Sequence, residues 1–277
     1  MSKRLEAIFL QPAKGSTRLI AYLMAGDPTP ETSLRRLKGL ADHGVDILEF
    51  GVPFSDPIAD GPVIQSAGER ALRGGMTLVK TLELVRGFRA SHETPVLLMS
   101  YLNPLLRYGW SKFVLDAVDA GVDGLILPDL PWREGKNLRT ETKRLVGTQL
   151  SFIPIVAQTS QAEDLLELSM GSQGFVYVLS RNGITGGEAE ISPKVTEFIT
   201  SLEQQTHLPR CVGFGIQTAK QVRRLAEYCD GVIIGSAIVR RFSELDKKEL
   251  SETELFKEEG AIFEWVAELN SKKSDNK

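Results

Sequence analysis

The sequence is poor in the residues that build disulfides and metal sites. It has two cysteines, Cys211 and Cys229, and three histidines among its 277 residues. Both cysteines lie in or beside apolar segments, so we expect two unreactive buried thiols in a reducing compartment rather than a disulfide or a redox pair. The histidines, His43, His92 and His207, do not have the spacing of a ligand cluster, so we expect surface side chains and no metal site.

An excess of one charge and long hydrophobic runs are also missing. The 33 basic and 36 acidic residues leave a formal net charge of −3. This balance disfavours nucleic acid and anionic membranes as partners, although it leaves room for a small anion. No apolar run approaches the length of a membrane span, and the N-terminal stretch lacks the apolar core of a secretion signal. We therefore expect a cytoplasmic protein.

Eight short apolar runs alternate with segments of helical periodicity. The runs are nearly continuous in apolar residues, which is typical of strands in a parallel sheet covered on both faces. They span residues 18–25, 46–51, 95–100, 124–129, 150–157, 174–180, 210–216 and 231–236. Eight strand–helix alternations in a chain of this length favour the α/β class and a single (β/α)8 TIM barrel with additional helices.

The chain shows no internal repeat and no linker-like stretch. We therefore expect one domain over residues 1–270 and a disordered tail over residues 271–277. The charge-rich segment 243–260 is typical of a solvated helix or helix pair on the outside of the barrel.

Two carboxylates stand out where the second predicted strand ends, because TIM barrels place their active sites at the carboxyl ends of the strands. Glu49 shares a strand face with Ile47 and would point into the barrel mouth, where desolvation raises the pKa of a carboxyl group. A structural ion pair with lysine or arginine is the alternative for Glu49. Asp60 lies in the loop that leaves the same strand, so the two carboxylates can face one cavity. A simple turn aspartate is its alternative.

Glycines at the ends of the last two predicted strands indicate a phosphate site. The sequences GFG (213–215) and GS (235–236) allow close backbone approach and free N–H groups at a helix start. After the sixth strand, the glycine-rich loop 181–192 predicts a lid over the barrel mouth. A plain flexible loop is the alternative for that segment.

The predicted strands contain no lysine for a Schiff base and no histidine cluster for a metal. If the protein cleaves a carbon–carbon bond of a phosphorylated substrate, neither the imine nor the metal-enolate route is open. Acid–base chemistry with two carboxylates remains, and it requires a substrate that acts as its own electron sink.

The segment LEFGVPFSDPIADGPVIQSAGERAL (48–72) closely resembles the signature of the tryptophan synthase alpha subunit family. The resemblance continues, in the order of that family, through YLMAGDP, PVLLMSYLNPLLRYG, GVDGLILPDLP, LSRNGITG, GFGI and DGVIIGSAIV. It implies a barrel that cleaves indole-3-glycerol phosphate to indole and glyceraldehyde 3-phosphate, with the indole ring as the electron sink.

The resemblance also implies roles for particular residues. Glu49 corresponds to the general acid and base, and Asp60 to the carboxylate that binds the indole N–H. Tyr177 and Thr185 correspond to residues near these carboxylates. The phosphate-binding positions would be Gly186, Phe214, Gly215, Gly235 and Ser236. The indole pocket would be lined by Tyr22, Met99, Tyr101, Ile126, Leu127 and Ile155.

The same family implies a partner. Pro53, Asp56 and Pro57 fall where alpha subunits contact a beta subunit that carries pyridoxal phosphate, and an alpha2–beta2 heterotetramer is expected. No cofactor or metal is expected in this chain. Gln158 and Gln217 depart from the pattern of the family and could alter loop stiffness or coupling to the partner. Two alternatives stay open, namely another phosphate-binding barrel such as an isomerase, and a non-catalytic regulatory subunit.

Overall fold

The computed structural model describes residues 1–13, 17–160, 168, 173–179, 192–213 and 215–270. Its strands are β1 (Arg18–Met24), β2 (Ile47–Gly51), β3 (Val96–Met99), β4 (Gly124–Ile126), β5 (Ser151–Phe152), β6 (Ile155–Ala157), β7 (Val176–Leu179), β8 (Arg210–Gly213) and β9 (Gly231–Ile234). Its helices are α1 (Lys3–Leu10), α2 (Pro30–Asp42), α3 (Pro62–Arg73), α4 (Leu78–Arg89), α5 (Leu102–Tyr108), α6 (Trp110–Ala120), α7 (Lys136–Val146), α8 (Pro193–Leu202), α9 (Ala219–Leu225), α10 (Ser236–Leu245) and α11 (Glu252–Leu269).

The nine strands form one parallel sheet in the order β5-β4-β3-β2-β1-β9-β8-β7-β6. The two ends of this order, β5 and β6, belong to one extended segment that is interrupted at Ile153 and Pro154. The N–H of Ile153 donates to Leu125 on one side (2.9 Å), and the carbonyl of Pro154 accepts from Tyr177 on the other (2.8 Å). The sheet therefore closes on itself as eight strands, which confirms the predicted (β/α)8 barrel.

Each of the eight predicted runs contains a strand. The run 150–157 is divided because Pro154 has no N–H to donate to the ladder. Helices also begin and end as their sequences indicate. Thr29 caps α2, and Gly44 follows this helix with a φ of +86°, a conformation that favours glycine. The last described helix, α11, begins with a capping box between Ser251 and Glu254.

Two apolar layers lie on either side of the sheet. The inner layer fills the barrel and consists of Leu5, Ile20, Ile47, Leu97, Ile126, Ile153, Phe175, Tyr177, Cys211 and Ile233. The outer layer joins the opposite strand faces to the helices. Leu5 comes from α1, a helix that periodicity did not predict. Since α1 precedes β1, and Ser2 at its start donates to Asp123 just before β4 (2.6 Å), it covers the amino-terminal end of the barrel.

Several expectations about polar residues need correction. Within the charge-rich segment 243–260, Glu259 is 2% exposed because its carboxylate pairs with Arg35 and Arg36 from α2. Of the histidines expected at the surface, His43 and His92 are half-buried, and they stack on Phe263 and Phe88, respectively. Cys211 and Cys229 are buried free thiols, as predicted.

The described part of the chain has no cluster of three or more His, Cys, Asp or Glu side chains placed to hold a metal ion. None of the described helices is long and apolar enough to cross a membrane. The predicted tail, residues 271–277, lies outside the described residues.

Candidate active site

Glu49 is an almost fully buried carboxyl group at the carboxyl end of β2. It is 1% exposed and shares its strand face with Ile47 of the inner layer, whereas Leu48 and Phe50 belong to the outer layer. Its Oε1 atom has no hydrogen-bond partner among the described residues. Burial raises the pKa of Glu49 to about 8. Among the described residues, no ion pair and no nearby cation lowers the pKa of Glu49 again. The described residues therefore do not support the alternative that Glu49 forms a structural ion pair.

Asp60 lies in the loop between β2 and α3, which is held by its own hydrogen bonds. The N–H of Asp60 donates to Pro57 (3.1 Å), and Gln65 in α3 donates from its side-chain amide to the Asp60 carbonyl (2.9 Å). The residue is half-buried. Burial raises the pKa of Asp60 to about 6, and a hydrogen bond from Tyr101 acts in the opposite direction. The carboxyl group is therefore largely ionised near neutral pH.

The two carboxyl groups act on the same pair of tyrosines. Burial raises the pKa of Tyr22 far above its ordinary value, and the charges of Asp60 and Glu49 raise it further. For Tyr177 the largest cause is again burial, followed by Glu49 and Asp60. The register of β1 and β2 places Tyr22 directly beside Glu49, and the effect of both carboxyl groups on the pKa of each tyrosine agrees with one shared site at the barrel mouth.

Tyr101 connects this site to the loop that carries Asp60. Its hydroxyl oxygen accepts a hydrogen bond from the Ala59 N–H at 2.8 Å, and its ring packs against Phe54 with centroids 5.3 Å apart. Burial raises the pKa of Tyr101 to about 12, so the hydroxyl stays protonated. Asp129, which sequence reasoning missed, accepts from the N–H of Leu102 with both carboxylate oxygens (3.1 and 3.0 Å). The signal was available, since the run 124–129 ends on this aspartate.

The apolar residues assigned to an indole pocket divide between the two layers. Ile126 belongs to the inner layer, and Met99 and Ile155 pack against it. Leu127 follows Ile126 and packs in the outer layer. It lines a cavity of about 220 Å³ that Ile155 also borders.

The end of β9 leads directly into α10, whose N-terminus has no capping side chain. Gly235 is the N-cap residue, and Ser236 is the first residue of the helix. The helices α3, α5, α6, α7 and α8 also begin without a side-chain cap, whereas side-chain oxygens of Thr29, Thr77 and Thr218 cap α2, α4 and α9. The first N–H groups of α10 are thus free of a side-chain cap and suited to an anion.

Backbone space near this helix start is limited. A Cβ atom at Gly235 would lie 3.3 Å from the Cβ of Tyr22. Gly215, after β8, has a φ of +63°, which favours glycine. The remaining predicted residues of the phosphate site and lid, Gly186, Phe214 and Thr185 with the loop 181–191, lie outside the described residues.

The loop predicted to contact a partner is only partly accessible. Pro53 is buried, Pro57 is half-buried, and Asp56 is exposed. Ile58 in the same loop is 85% exposed, which sequence reasoning overlooked. An apolar residue inside a proline- and aspartate-rich turn was the signal that could have revealed it. Phe54, Asp56, Pro57 and Ile58 border a surface cavity of about 680 Å³.

The two glutamines that depart from the expected pattern lie in ordered turns. Gln158 is exposed in a turn where the Ser160 N–H donates to the Ala157 carbonyl (2.8 Å). The N–H of Gln217 donates to Oε1 of Gln221 at 2.9 Å, next to the capping box of α9. Neither side chain makes a described contact with the carboxyl groups.

Comparison with known proteins gives one consistent family. The family model for the tryptophan synthase alpha chain matches residues 9–266. The tryptophan synthase alpha chain of Halalkalibacterium halodurans is 44% identical over 256 residues, which cover 91% of this chain and 94% of the relative.

Solved structures agree with this result. The tryptophan synthase subunit alpha of Legionella pneumophila (strain Paris) is 33% identical and superposes with a TM-score of 0.84, covering 97% of this chain and 98% of that one. An open form of tryptophan synthase from M. tuberculosis, with BRD0059 bound, is 32% identical with a TM-score of 0.82, covering 98% and 99% of the two chains.

Proposed function

The chain belongs to the tryptophan synthase alpha chain family, and on that premise we propose that Glu49 and Asp60 carry out its lyase reaction. The alpha reaction cleaves indole-3-glycerol phosphate to indole and glyceraldehyde 3-phosphate. The observation that carries the proposed roles is the placement of two carboxyl groups at the carboxyl end of β2, with Glu49 1% exposed on the strand and Asp60 half-buried in the loop that follows it. With pKa values of about 8 and about 6, Glu49 is mainly protonated and Asp60 mainly ionised near neutral pH.

Glu49 acts first as a general acid and then as a general base. It donates its proton to C3 of the indole ring, which converts the ring to an indolenine that can accept electrons. The resulting carboxylate then removes the proton from the C3′ hydroxyl, the C3–C3′ bond breaks, and its electron pair returns to the ring. Glu49 ends the cycle protonated, so no external acid or base is consumed.

Asp60 stabilises the charge that develops on the ring. Its carboxylate accepts a hydrogen bond from the indole N–H, and this bond strengthens as the nitrogen becomes positive. The pKa of Asp60, raised only to about 6, supports this role, because a protonated group could not balance the charge. Tyr101 holds the loop beside Asp60 through the Ala59 N–H.

The phosphate group of the substrate is bound at the start of α10. The uncapped N–H groups after Gly235 and the hydroxyl of Ser236 would meet its oxygens, and the helix dipole favours a negative charge there. Gly186, Phe214 and Gly215 would complete the phosphate site. Tyr22, Met99, Tyr101, Ile126, Leu127 and Ile155 would enclose the ring, and Tyr177 and Thr185 would lie near the two carboxyl groups.

The family implies a beta-subunit partner and is consistent with a chain that has no cofactor of its own. We infer that the partner binds the loop containing Pro53, Asp56 and Pro57, and that Ile58 belongs to this surface, because it is 85% exposed in the loop that carries Asp60. An alpha2–beta2 assembly, pyridoxal phosphate in the beta subunit, a single domain over residues 1–270 and a cytoplasmic location complete the proposal.

Indole release from indole-3-glycerol phosphate, measured with and without a beta subunit, tests the residue roles. Glu49→Gln should reduce turnover in the complex by at least about a hundredfold, because general acid–base groups contribute about 10²–10⁴-fold. Asp60→Asn should also lower kcat. A Glu49→Gln protein with the wild-type rate would refute its role. A wild-type chain that activates the beta subunit but releases no indole would be a regulatory subunit.

A further inference from the structure

Arg70 in α3 connects three separate elements through a polar bridge. Its Nε donates to Oδ1 of Asp27 (2.7 Å), and its Nη2 donates to Oδ2 of Asp27 (2.8 Å) and to the Ser243 hydroxyl (2.5 Å). Asp27 follows β1 and is 8% exposed, whereas Ser243 belongs to α10. We call Asp27, Arg70 and Ser243 the Arg70 bridge.

The elements joined by the Arg70 bridge carry different parts of the proposed site. Helix α3 begins two residues after Asp60, and α10 begins at Ser236, where the phosphate group is proposed to bind. Strand β1 carries Tyr22, which lies between Glu49 in the sheet register and Gly235 at the start of α10. The bridge therefore links the loop that meets the indole ring to the helix that meets the phosphate.

The face of α3 that packs against its neighbours is built mostly from small residues. Its buried face consists of Ile64, Ala67, Gly68 and Ala71, which are mostly small. A Cβ atom at Gly68 would already lie 3.4 Å from the Met24 Cε, so the helix lies close to the end of β1. Small side chains allow this close approach but provide few interdigitating atoms that would prevent sliding. A bidentate arginine–carboxylate contact defines both distance and orientation.

We propose that Arg70 is a positioning residue for the lyase reaction, which holds the Asp60 loop and the phosphate-binding start of α10 at a constant separation. The inference rests on the proposed roles of Asp60 and of the α10 N-terminus. One substrate must meet both, and small errors in position cost a large part of the rate. Arg70 does not touch the reacting atoms. It acts through the two elements that do.

An exposed ion pair elsewhere provides the matched control. Arg86 in α4 donates through Nε and Nη2 to one oxygen of Asp119 in α6, at 3.2 and 2.9 Å. Both side chains are exposed, at 43% and 74%, and neither helix follows a predicted site residue directly. Removing this pair deletes an arginine–aspartate contact without disconnecting the two parts of the site.

The test measures kcat and KM for indole-3-glycerol phosphate in the complex with a beta subunit. Arg70→Met should lower kcat/KM by about tenfold or more, with both a lower kcat and a higher KM, because both elements lose their constraint. Arg70→Lys keeps the charge but not the bidentate contact, so its value should be intermediate. Ser243→Ala disconnects only α10 and should raise KM with little change in kcat. Arg86→Met should leave both constants unchanged.

Wild-type kcat and KM for Arg70→Met would overturn the proposal, as would an equal loss of kcat/KM in Arg86→Met. If Arg70→Met does not fold, wild-type constants for both Arg70→Lys and Ser243→Ala would overturn it. Asp60→Asn, assayed in parallel, separates this inference from the proposed function. If Asp60→Asn retains full activity, the proposed roles fail. If Asp60→Asn is impaired while the Arg70 variants are not, only the positioning role of Arg70 fails.

Discussion

The hydroxyl group of Tyr22 occupies the space that a side chain at Gly51 would need. A Cβ atom at Gly51 would lie 2.0 Å from the Tyr22 Oη and 2.7 Å from its Cζ. Tyr22 is buried and lies beside Glu49 in the sheet register, while Gly51 ends the same strand as Glu49. The missing side chain at position 51 thus determines where the tyrosine ring lies relative to the carboxyl group of Glu49.

Gly51→Ala should damage activity more than stability. The Tyr22 ring would have to move, because a Cβ contact at 2.0 Å is impossible, and the pocket around Glu49 would change shape. We expect kcat/KM to fall by about tenfold or more, as small displacements in an active site are costly. Steady-state kinetics combined with thermal unfolding measures both effects.

Gly260→Ala is the matched control for that substitution. Gly260 lies within α11 with no atom near the position of an added Cβ. This variant should keep full activity and gain about 0.5–1 kcal/mol in the free energy of unfolding, because glycine is unfavourable inside a helix. Equal kinetics in the two variants would contradict the role given to Gly51.

Activity should depend on pH through both carboxyl groups. The proposed mechanism needs an ionised Asp60 and a protonated Glu49, so kcat/KM should fall below about pH 6 and above about pH 8. Tyr101→Phe removes the hydrogen bond that lowers the pKa of Asp60, so the acid limb should move to higher pH. The pH profile of indole release measures this. An acid limb at the same pH in Tyr101→Phe would argue against Asp60 as its source.

Glu49→Gln should make stability less dependent on pH. The pKa of Glu49 is raised from an ordinary value near 4.5 to about 8 in the folded protein, so folding favours its protonated form. The stability that this group contributes is complete below about pH 4.5 and is lost as pH rises through about 8. Wild-type protein should therefore lose stability relative to Glu49→Gln between mildly acidic and alkaline pH.

Urea unfolding at several pH values, compared between the two proteins, measures this difference. Identical pH dependence in wild-type protein and Glu49→Gln would mean that Glu49 is not a neutral buried group.

Ile58→Asp should weaken association with a beta subunit. The side chain is 85% exposed, and a charge there would be desolvated in an interface. We expect the dissociation constant to rise by about tenfold or more, which corresponds to about 1.4 kcal/mol. Titration calorimetry with a beta subunit measures it. Leu10→Asp is the control, since Leu10 is 79% exposed at the end of α1, on the opposite side of the barrel. Equal weakening in both variants would remove Ile58 from the proposed interface.

Local sequence patterns predicted much of the fold. Each of the eight apolar runs contains a strand. A strand that is buried on both faces needs continuous apolar residues, and this pattern can be recognised without knowing which strands lie beside it. The interruption at Pro154 follows from the missing N–H of proline. It was not predicted, because the apolar run 150–157 continues on both sides of this residue. Helix α1 was missed because its role, covering the end of the barrel with Leu5, depends on contacts with distant strands.

The two carboxyl groups could be found in the sequence, but their chemistry could not. Alternation along β2 predicted that Glu49 points inward, since strand geometry is local. Its pKa of about 8 required the surrounding barrel, because desolvation depends on every element that excludes water. From the sequence alone, Asp60 could equally have been a simple turn residue. The structure brings Tyr101, which follows β3, into contact with the neighbouring Ala59 N–H, and this contact could not be read from the local sequence.

Strand periodicity, turn chemistry and motif order lie along the chain, so they predicted the order of the strands, the barrel and the candidate acid–base groups, although not helix α1. Only the folded molecule shows which of these groups is neutral, which glycine makes room for Tyr22, and how Arg70 joins two parts of the site. Those properties arise from contacts between residues far apart in sequence, such as Arg70 and Ser243, and from the burial that closure of the barrel creates.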